Sequence, residues 1–329
     1  MREIIISGNE ANQRFDKFLA KYLNKAGKSF IYKMLRKKNI TLNGKKDDGA
    51  SKLAVGDVVN IYICEESIAN FTDAGTSSNA DMYKDIAYEA TTQLDIVYED
   101  SDIIIINKPV GMLSQKASKD DVSANEYIIR YLLESGQLKE NELSTFKPSV
   151  CNRLDRNTSG LLVFGKSLKG LQEMSKAFKE RTLHKYYICL VDGVVRESRR
   201  IDGYLKKDEK SNKVEIVNSH KEGYDRISTE YIPLGDNGKI TLLMINLITG
   251  KPHQIRAHLA YEKTPVIGDY KYGFRKVINN MYRERYGVKS QLLHAYRLVL
   301  SDGKSFVAEP PDIFLKVLQG EGLDKYLEK

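Results

Sequence analysis

Apolar residues at Phe15, Phe18, Leu19, Tyr22 and Leu23 recur every three to four positions, the spacing of one helix face, and Gly27 is placed to break that helix. Ser29 is placed to cap a second helix, whose inner face is either Tyr32 with Leu35 or Ile31 with Met34 and Leu35. That helix runs out into the basic triplet Arg36-Lys37-Lys38. The period then changes. Residues 40–42 and 58–63 read as strands, and Asn43-Gly44 carries the chemistry of a tight hairpin turn. Beyond residue 63 neither period survives. The run AGTSSNA at 74–80 is small and polar, and residues 64–92 hold six acidic side chains against one lysine. Such a stretch predicts an acidic, flexible tether, with Phe71 free to dock on either side.

Patterning resumes with strands at 94–99 and 103–107 around Asp100-Ser101-Asp102, and Pro109 and Gly111 turn the chain. Ser123 and Glu126 form a capping box ahead of a helix with Tyr127, Ile128, Tyr131 and Leu132 inward. Residues 161–164 are wholly apolar, a buried strand, and Leu168, Leu171, Met174 and Phe178 trace another amphipathic helix. Further strands follow at 185–191, at 240–248 (the longest strand signal), and at 297–300 and 306–308 around Asp302-Gly303. Strand-turn-strand units without βαβ alternation predict an α+β fold with a central, mainly antiparallel sheet flanked by helices. Three segments result: a small domain at 1–63, a linker at 64–92 and a large domain at 93–329.

Charge adds a partner to this picture. The chain carries a net charge of +8, and residues 1–63 alone hold 13 Lys and Arg against 6 Asp and Glu. Cations beside a helix end and a turn can grip phosphates without reading bases, so a polyanionic partner is implied. Cys64, Cys151 and Cys189 are odd in number and far apart, which argues against a disulfide framework or a zinc knuckle and fits a reducing cytoplasm. The start, MREIIISGNE, turns polar too soon for a signal peptide, and no apolar run reaches the length of a membrane span. His253 and His258 are five apart rather than the four that align two ligands on a helix, so no zinc site is expected.

The densest chemistry lies at residues 151–160, CNRLDRNTSG, where Arg153 and Arg156 surround Asp155. Thr158, Ser159 and Gly160 supply turn chemistry, so Asp155 sits on a loop feeding the buried strand at 161–164. A carboxylate beside fixed cations stays ionised and can act as nucleophile, base or structural anchor. Residues 160–167 also fit the phosphate-loop template GxxxxGK[ST]. The order is inverted, however: polar residues precede Gly160 and bulky apolar ones follow, so the segment reads as a strand.

The stretch resembles the RLDxxTSG motif of the RluA family of pseudouridine synthases. NKPVGMLSQ at 107–115, KYYICLVDG at 185–193, TGKPHQIRAHL at 249–259, VIGDYKYG at 266–273 and LHAYRL at 293–298 extend the resemblance in the family's order. It implies an RNA uridine isomerase with Asp155 as the catalytic carboxylate, Arg256 paired with it and Tyr187 on the uracil. Arg153 would fill the gap left by the flipped uridine. No cofactor or metal is implied, and the expected enzyme is a cytoplasmic monomer whose partner is RNA. Residues 14–63 resemble an S-four-type RNA-binding domain, which implies RNA-facing roles for Arg14, Lys28, Ser29, Arg36, Lys37, Lys38 and Asn43. Gln115 and Asn152 stand where the family commonly has histidine, and Glu309-Pro310 replaces a common His-Pro. These departures bear on the subfamily and the RNA target. Together the two modules resemble the RluC-like and RluD-like branch that acts on large-subunit ribosomal RNA. The alternatives are transfer RNA as substrate, and a non-catalytic RNA-binding or ribosome-assembly protein.

Overall fold

The computed structural model describes residues 1–72, 83, 94–118, 120–208 and 211–327, leaving aside the side chains of Asn141 and Ser144. The chain begins with β1 (Arg2–Ile5), α1 (Phe15–Tyr22), α2 (Lys28–Arg36), β2 (Ile40–Leu42), β3 (Val58–Ile61) and α3 (Glu65–Phe71). β3 lies between β1 and β2 and is antiparallel to both. Phe15, Phe18 and Leu19 of α1 and Ile31, Met34 and Leu35 of α2 bury against Val59 and Ile61, while Tyr32 is exposed. Ser29 does not cap α2. The Gly27 carbonyl accepts from the Phe30 and Ile31 amides, which puts the cap at Gly27 and leaves Ser29 in the first turn. Asn43 (φ 52°) and Gly44 (φ 72°) are both left-handed, as a two-residue turn requires.

The segment read as a tether begins with a helix, α3. Ile68 of α3 is fully buried, and the Phe71 ring lies 4.4 Å from that of Phe30, so Phe71 docks on this first core. Residues 74–80 lie outside the described residues. The first unit also touches the second: Thr145 Oγ1 donates to Glu10 at 2.6 Å, and the Leu168 amide donates to Asn9 Oδ1 at 3.2 Å.

The large unit contains β4 (Ile96–Glu99), β5 (Ile103–Lys108), α4 (Ala124–Glu134), β6 (Ser149–Val150), β7 (Ser159–Gly165), α5 (Leu168–Glu180), β8 (His184–Asp192) and β9 (Arg199–Asp208). Then come β10 (Lys213–Val217), β11 (Asp225–Asp236), β12 (Ile240–Asn246), α6 (Gln254–Tyr261), α7 (Lys276–Tyr286), β13 (Leu293–Val299), β14 (Ser305–Val307) and α8 (Asp312–Gly320). The sheet order is β10-β9-β11-β12-β8-β13-β7-β5-β4, with β14 beside β13 and β6 beside β7. Among the described residues every pairing between these strands is antiparallel except β13 with β7, so this is a mixed α/β unit on a mostly antiparallel sheet.

The Ser123–Glu126 capping box opens α4, but its inner face is Ile128, Ile129 and Leu132. Tyr131 stays at the rim because its hydroxyl donates to Glu99 at 2.8 Å, a partner that the core does not provide. β7 runs as a buried strand to Gly165, and Ser167 then caps α5 by accepting from the Gly170 amide at 3.0 Å. Lys166 is tied to Glu99 at 2.6 Å, so residues 160–167 form no phosphate loop.

The parallel join of β13 to β7 is the feature that builds the site. It is two residues long, His294 opposite Ser159 and Ala295 opposite Gly160. On its other side Ala295 pairs with Tyr187 of β8. Tyr187, Ala295 and Gly160 therefore lie in one row across three strands, with only small residues between the tyrosine and the start of β7. Gly160 has φ +110°, and a Cβ there would lie 2.2 Å from the Ala295 carbonyl oxygen. Gly160→Ala should therefore cost about 3 kcal/mol through combined backbone strain and overpacking. Chemical denaturation would show it; a midpoint like that of the native chain would contradict this reading of the join.

Candidate active site

Asp155 lies on the turn immediately before β7. The turn closes through the Thr158 amide, which donates to the Asp155 carbonyl at 3.0 Å. The loop after β5 holds it from the other side. Ser114 Oγ accepts from the Leu154 amide and donates to the Leu154 carbonyl, both at 3.0 Å. The Gly111 amide donates to the Arg156 carbonyl at 2.9 Å, and Arg156 Nε donates back to the Gly111 carbonyl at 3.1 Å. This bracing leaves the carboxylate accessible, with 25% of the Asp155 side chain exposed. Arg153, two residues earlier, is exposed on the same loop.

Arg256 rises from the first turn of α6 and meets Asp155, Nη1 to Oδ2 at 2.8 Å. The rest of its guanidinium is taken by Asp269, with Nε to Oδ2 at 2.7 Å and Nη2 to Oδ1 at 3.0 Å. Burial opposes the charge on Arg256, but the two carboxylates outweigh it and raise its pKa above the ordinary value. A bidentate partner fixes the plane of the guanidinium, so the remaining nitrogen is aimed at Asp155. The Tyr272 ring covers the same guanidinium at 5.2 Å, and its hydroxyl is 2.8 Å from His253 Nδ1.

Tyr187 is only 7% exposed, on the face of β8 that carries Cys189 and Val191 into the main core, and Tyr186 takes the opposite face. Burial first, and then the negative charge of Asp155, raise the Tyr187 pKa. The phenol is therefore protonated at neutral pH and lies within the electrostatic reach of Asp155. The structure thus brings together Asp155, Arg256 and Tyr187, which are far apart in the sequence.

Two residues of this centre carried no assigned role in the sequence. Asp269 lies inside the motif at 266–273, and a carboxylate two residues after an apolar pair is its only mark. Lys108 ends the apolar strand β5 and is fully buried. Its Nζ donates to the carbonyls of Pro109, Met112 and Arg156 at 2.9, 2.8 and 3.2 Å, clamping the loop after β5 to the loop that carries Asp155. Burial lowers its pKa to about 7, against the pull of Asp155. A lysine whose folded pKa lies below its unfolded value weakens the fold below about pH 7, and that penalty fades as pH rises toward 10.5. The native chain should gain stability over Lys108→Met between pH 7 and 9.5 in denaturant titrations. Parallel stability profiles would contradict the buried amine.

Among the described residues there is no cluster of three or more His, Cys, Asp or Glu able to hold a metal. His253 and His258 are committed separately, His258 Nδ1 lying 3.0 Å from Thr229 Oγ1. Burial lifts the Cys151 thiol to about 12, which leaves it unreactive. Asn152 works within the sheet: its Oδ1 accepts from the Val163 amide at 2.8 Å. Gln115 is exposed at the end of the bracing loop. No helix among the described residues is long and apolar enough to cross a membrane.

In the first unit Arg14, Lys28, Ser29, Arg36, Lys37, Lys38 and Asn43 are all exposed. Arg14 is paired with Asp16 at 3.0 Å. The Asn43 side chain donates to Asp57 at 2.9 Å and accepts from the Val58 amide at 2.8 Å, so it shapes the turn.

Residues 102–261 match the sequence model of a family described as RNA pseudouridylate synthase. The solved structure of human RNA pseudouridylate synthase domain containing 4 is similar in fold, with a TM-score of 0.57 over 73% of this chain and 95% of that one, at 20% identity. An uncharacterized RNA pseudouridine synthase of Mycoplasma capricolum subsp. capricolum is 30% identical, covering 84% of this chain and 86% of its own. Ribosomal large subunit pseudouridine synthase C of Vibrio vulnificus is 31% identical over 88% of this chain and 85% of its own. The chain belongs to the RluA family of RNA pseudouridine synthases, isomerases of uridine in RNA.

Proposed function

We propose that this enzyme isomerises uridine in large-subunit ribosomal RNA, working in the cytoplasm as a monomer. The observation that carries the reading is the accessible Asp155 carboxylate held at 2.8 Å by a buried arginine. The substrate follows from the relatives named for the ribosomal large subunit and from the basic first unit. Residues 1–63 serve as an S-four-type RNA-binding domain, 64–92 as the linker and 93–329 as the catalytic domain.

A stacked uridine is out of reach, so it is extruded toward the accessible Asp155 carboxylate and Arg153 fills the space it leaves. Asp155 then acts on the ribose in one of two ways. It attacks C1′, or it removes the proton from C2′ to give a glycal. Either way the N1–C1′ bond breaks, the uracil turns, and C5 bonds to C1′. N1 gains a proton and C5 loses one, so atoms balance without a co-reactant. Arg256 holds and aims the Asp155 carboxylate through their 2.8 Å bond. Tyr187 packs on the uracil, and its raised pKa makes it a proton donor and relay rather than a standing base.

Pseudouridine mapping across ribosomal and transfer RNA, with and without the gene, tests the substrate. Loss of modification in large-subunit RNA is expected; loss confined to transfer RNA would overturn that assignment. The first unit has its own test. Arg36, Lys37 and Lys38 changed together to Gln should weaken RNA binding and reduce the log–log salt slope by about 2 to 3, since each phosphate contact contributes roughly 0.7 to 0.9. An unchanged slope would remove that triplet from the RNA interface.

A further inference from the structure

Immediately after Asp269 the chain reads YKYGFRKV, residues 270–277, with three cations and no acid. The backbone here is held rigidly. Asn279 of α7 accepts from the Gly268 amide at 2.8 Å and donates to the Asp269 carbonyl at 3.1 Å. The Gly273 amide donates to that same carbonyl at 2.8 Å. These bonds lock the segment to the carboxylate that orients Arg256. They leave two of its aromatic side chains uncovered. Tyr270 is 47% exposed and Phe274 52%, and Val277 and Met281 continue the stripe along α7 at 79% and 42%. The aromatics alternate with Lys271, Arg275 and Lys276. Arg275 is anchored by Asp192 at 2.8 Å yet stays half exposed. Lys271 is near enough to the centre for the charges of Arg256 and Asp155 to act on it.

We propose that Tyr270 and Phe274 form a stacking platform for the unpaired nucleotides flanking the target uridine, with Lys271, Arg275 and Lys276 on their phosphates. This rests on the function proposed above and adds a subsite to it. Extruding one base leaves its neighbours unstacked, and exposed aromatic faces on the rigid segment that follows Asp269 replace the lost stacking. Interleaved lysines favour this occupant over a protein, since protein interface cores are poor in lysine.

The test uses the full chain and a large-subunit RNA fragment carrying 2-aminopurine beside the modified uridine. Binding should quench the fluorophore. Tyr270→Ala and Phe274→Ala should each raise KM roughly tenfold, the loss of one base stack, with kcat within about twofold and the melting temperature unchanged. Phe274→Trp should restore both KM and quenching. Unchanged KM in both alanine variants, no quenching by the native chain, or a loss that Trp does not repair would each overturn the platform. Failure of the underlying reading shows separately, as native enzyme that binds and quenches but forms no pseudouridine.

Discussion

Asp155→Asn is expected to lower pseudouridine formation by about 10⁴-fold or more while RNA affinity stays within about twofold. The amide has nearly the shape of the carboxylate, so the turn before β7 keeps its bonds through Leu154 and Thr158, which use the backbone. Arg256 can still donate to the amide oxygen and keeps both bonds to Asp269. What disappears is the negative charge and the lone pair that the proposed reaction uses at the ribose. Affinity comes mostly from cations contacting phosphates, and those are untouched. Turnover near that of the native enzyme would place the chemistry elsewhere.

Asp269→Asn is expected to cost both stability and rate. Arg256 is buried, and Asp269, with 1% of its side chain exposed, neutralises it through two bonds. Removing one partner of a buried pair leaves a charge poorly compensated, at a cost of about 3 kcal/mol or more. Asp269 Oδ1 also accepts from the Lys271 and Tyr272 amides, at 2.9 and 3.0 Å, so an amide nitrogen there would face donors. With its plane no longer fixed, the guanidinium aims less well at Asp155, and kcat should fall about 100-fold. KM for RNA should move much less, because Asp269 is too buried to meet RNA. Denaturation and steady-state kinetics measure the two effects. A variant as stable and as fast as the native chain would make the bidentate pair incidental.

The parts of this centre that could be read in the sequence were those with local signatures. The Asp155 loop announced itself by turn residues ahead of an apolar strand. The mostly apolar run at 185–191 marked the strand that carries Tyr187. The resemblance to a known family singled out Arg256. What escaped depends on tertiary context. Lys108 looks like a solvated lysine until the carbonyls of Pro109, Met112 and Arg156 close around it. The same limit applied to the fold. β9 and β10 present Arg200, Asp202, Lys206, Lys213 and Glu215 on one exposed face, so their alternation is diluted by charge and by Gly203. β11, twelve residues long, bends at an irregularity between Pro233 and Gly235, and proline argues against a central strand. Within the segment read as a tether, the helical period of α3 is only seven residues long and shows one buried position, Ile68. Nothing local betrays the parallel join at Gly160, since Ala295 is far away in sequence.

The central claim is that Asp155, steadied by Arg256 and with Tyr187 on the uracil, moves the ribose from N1 to C5 of a uridine. Because C5 must lose its hydrogen, the most direct measurement is tritium release from large-subunit RNA labelled at uridine C5, using the purified chain without added cofactor. The account predicts release matched by an equal yield of carbon–carbon-linked nucleoside, and none from Asp155→Asn. Tight RNA binding with no release from the native chain, or equal release from the variant, would contradict it.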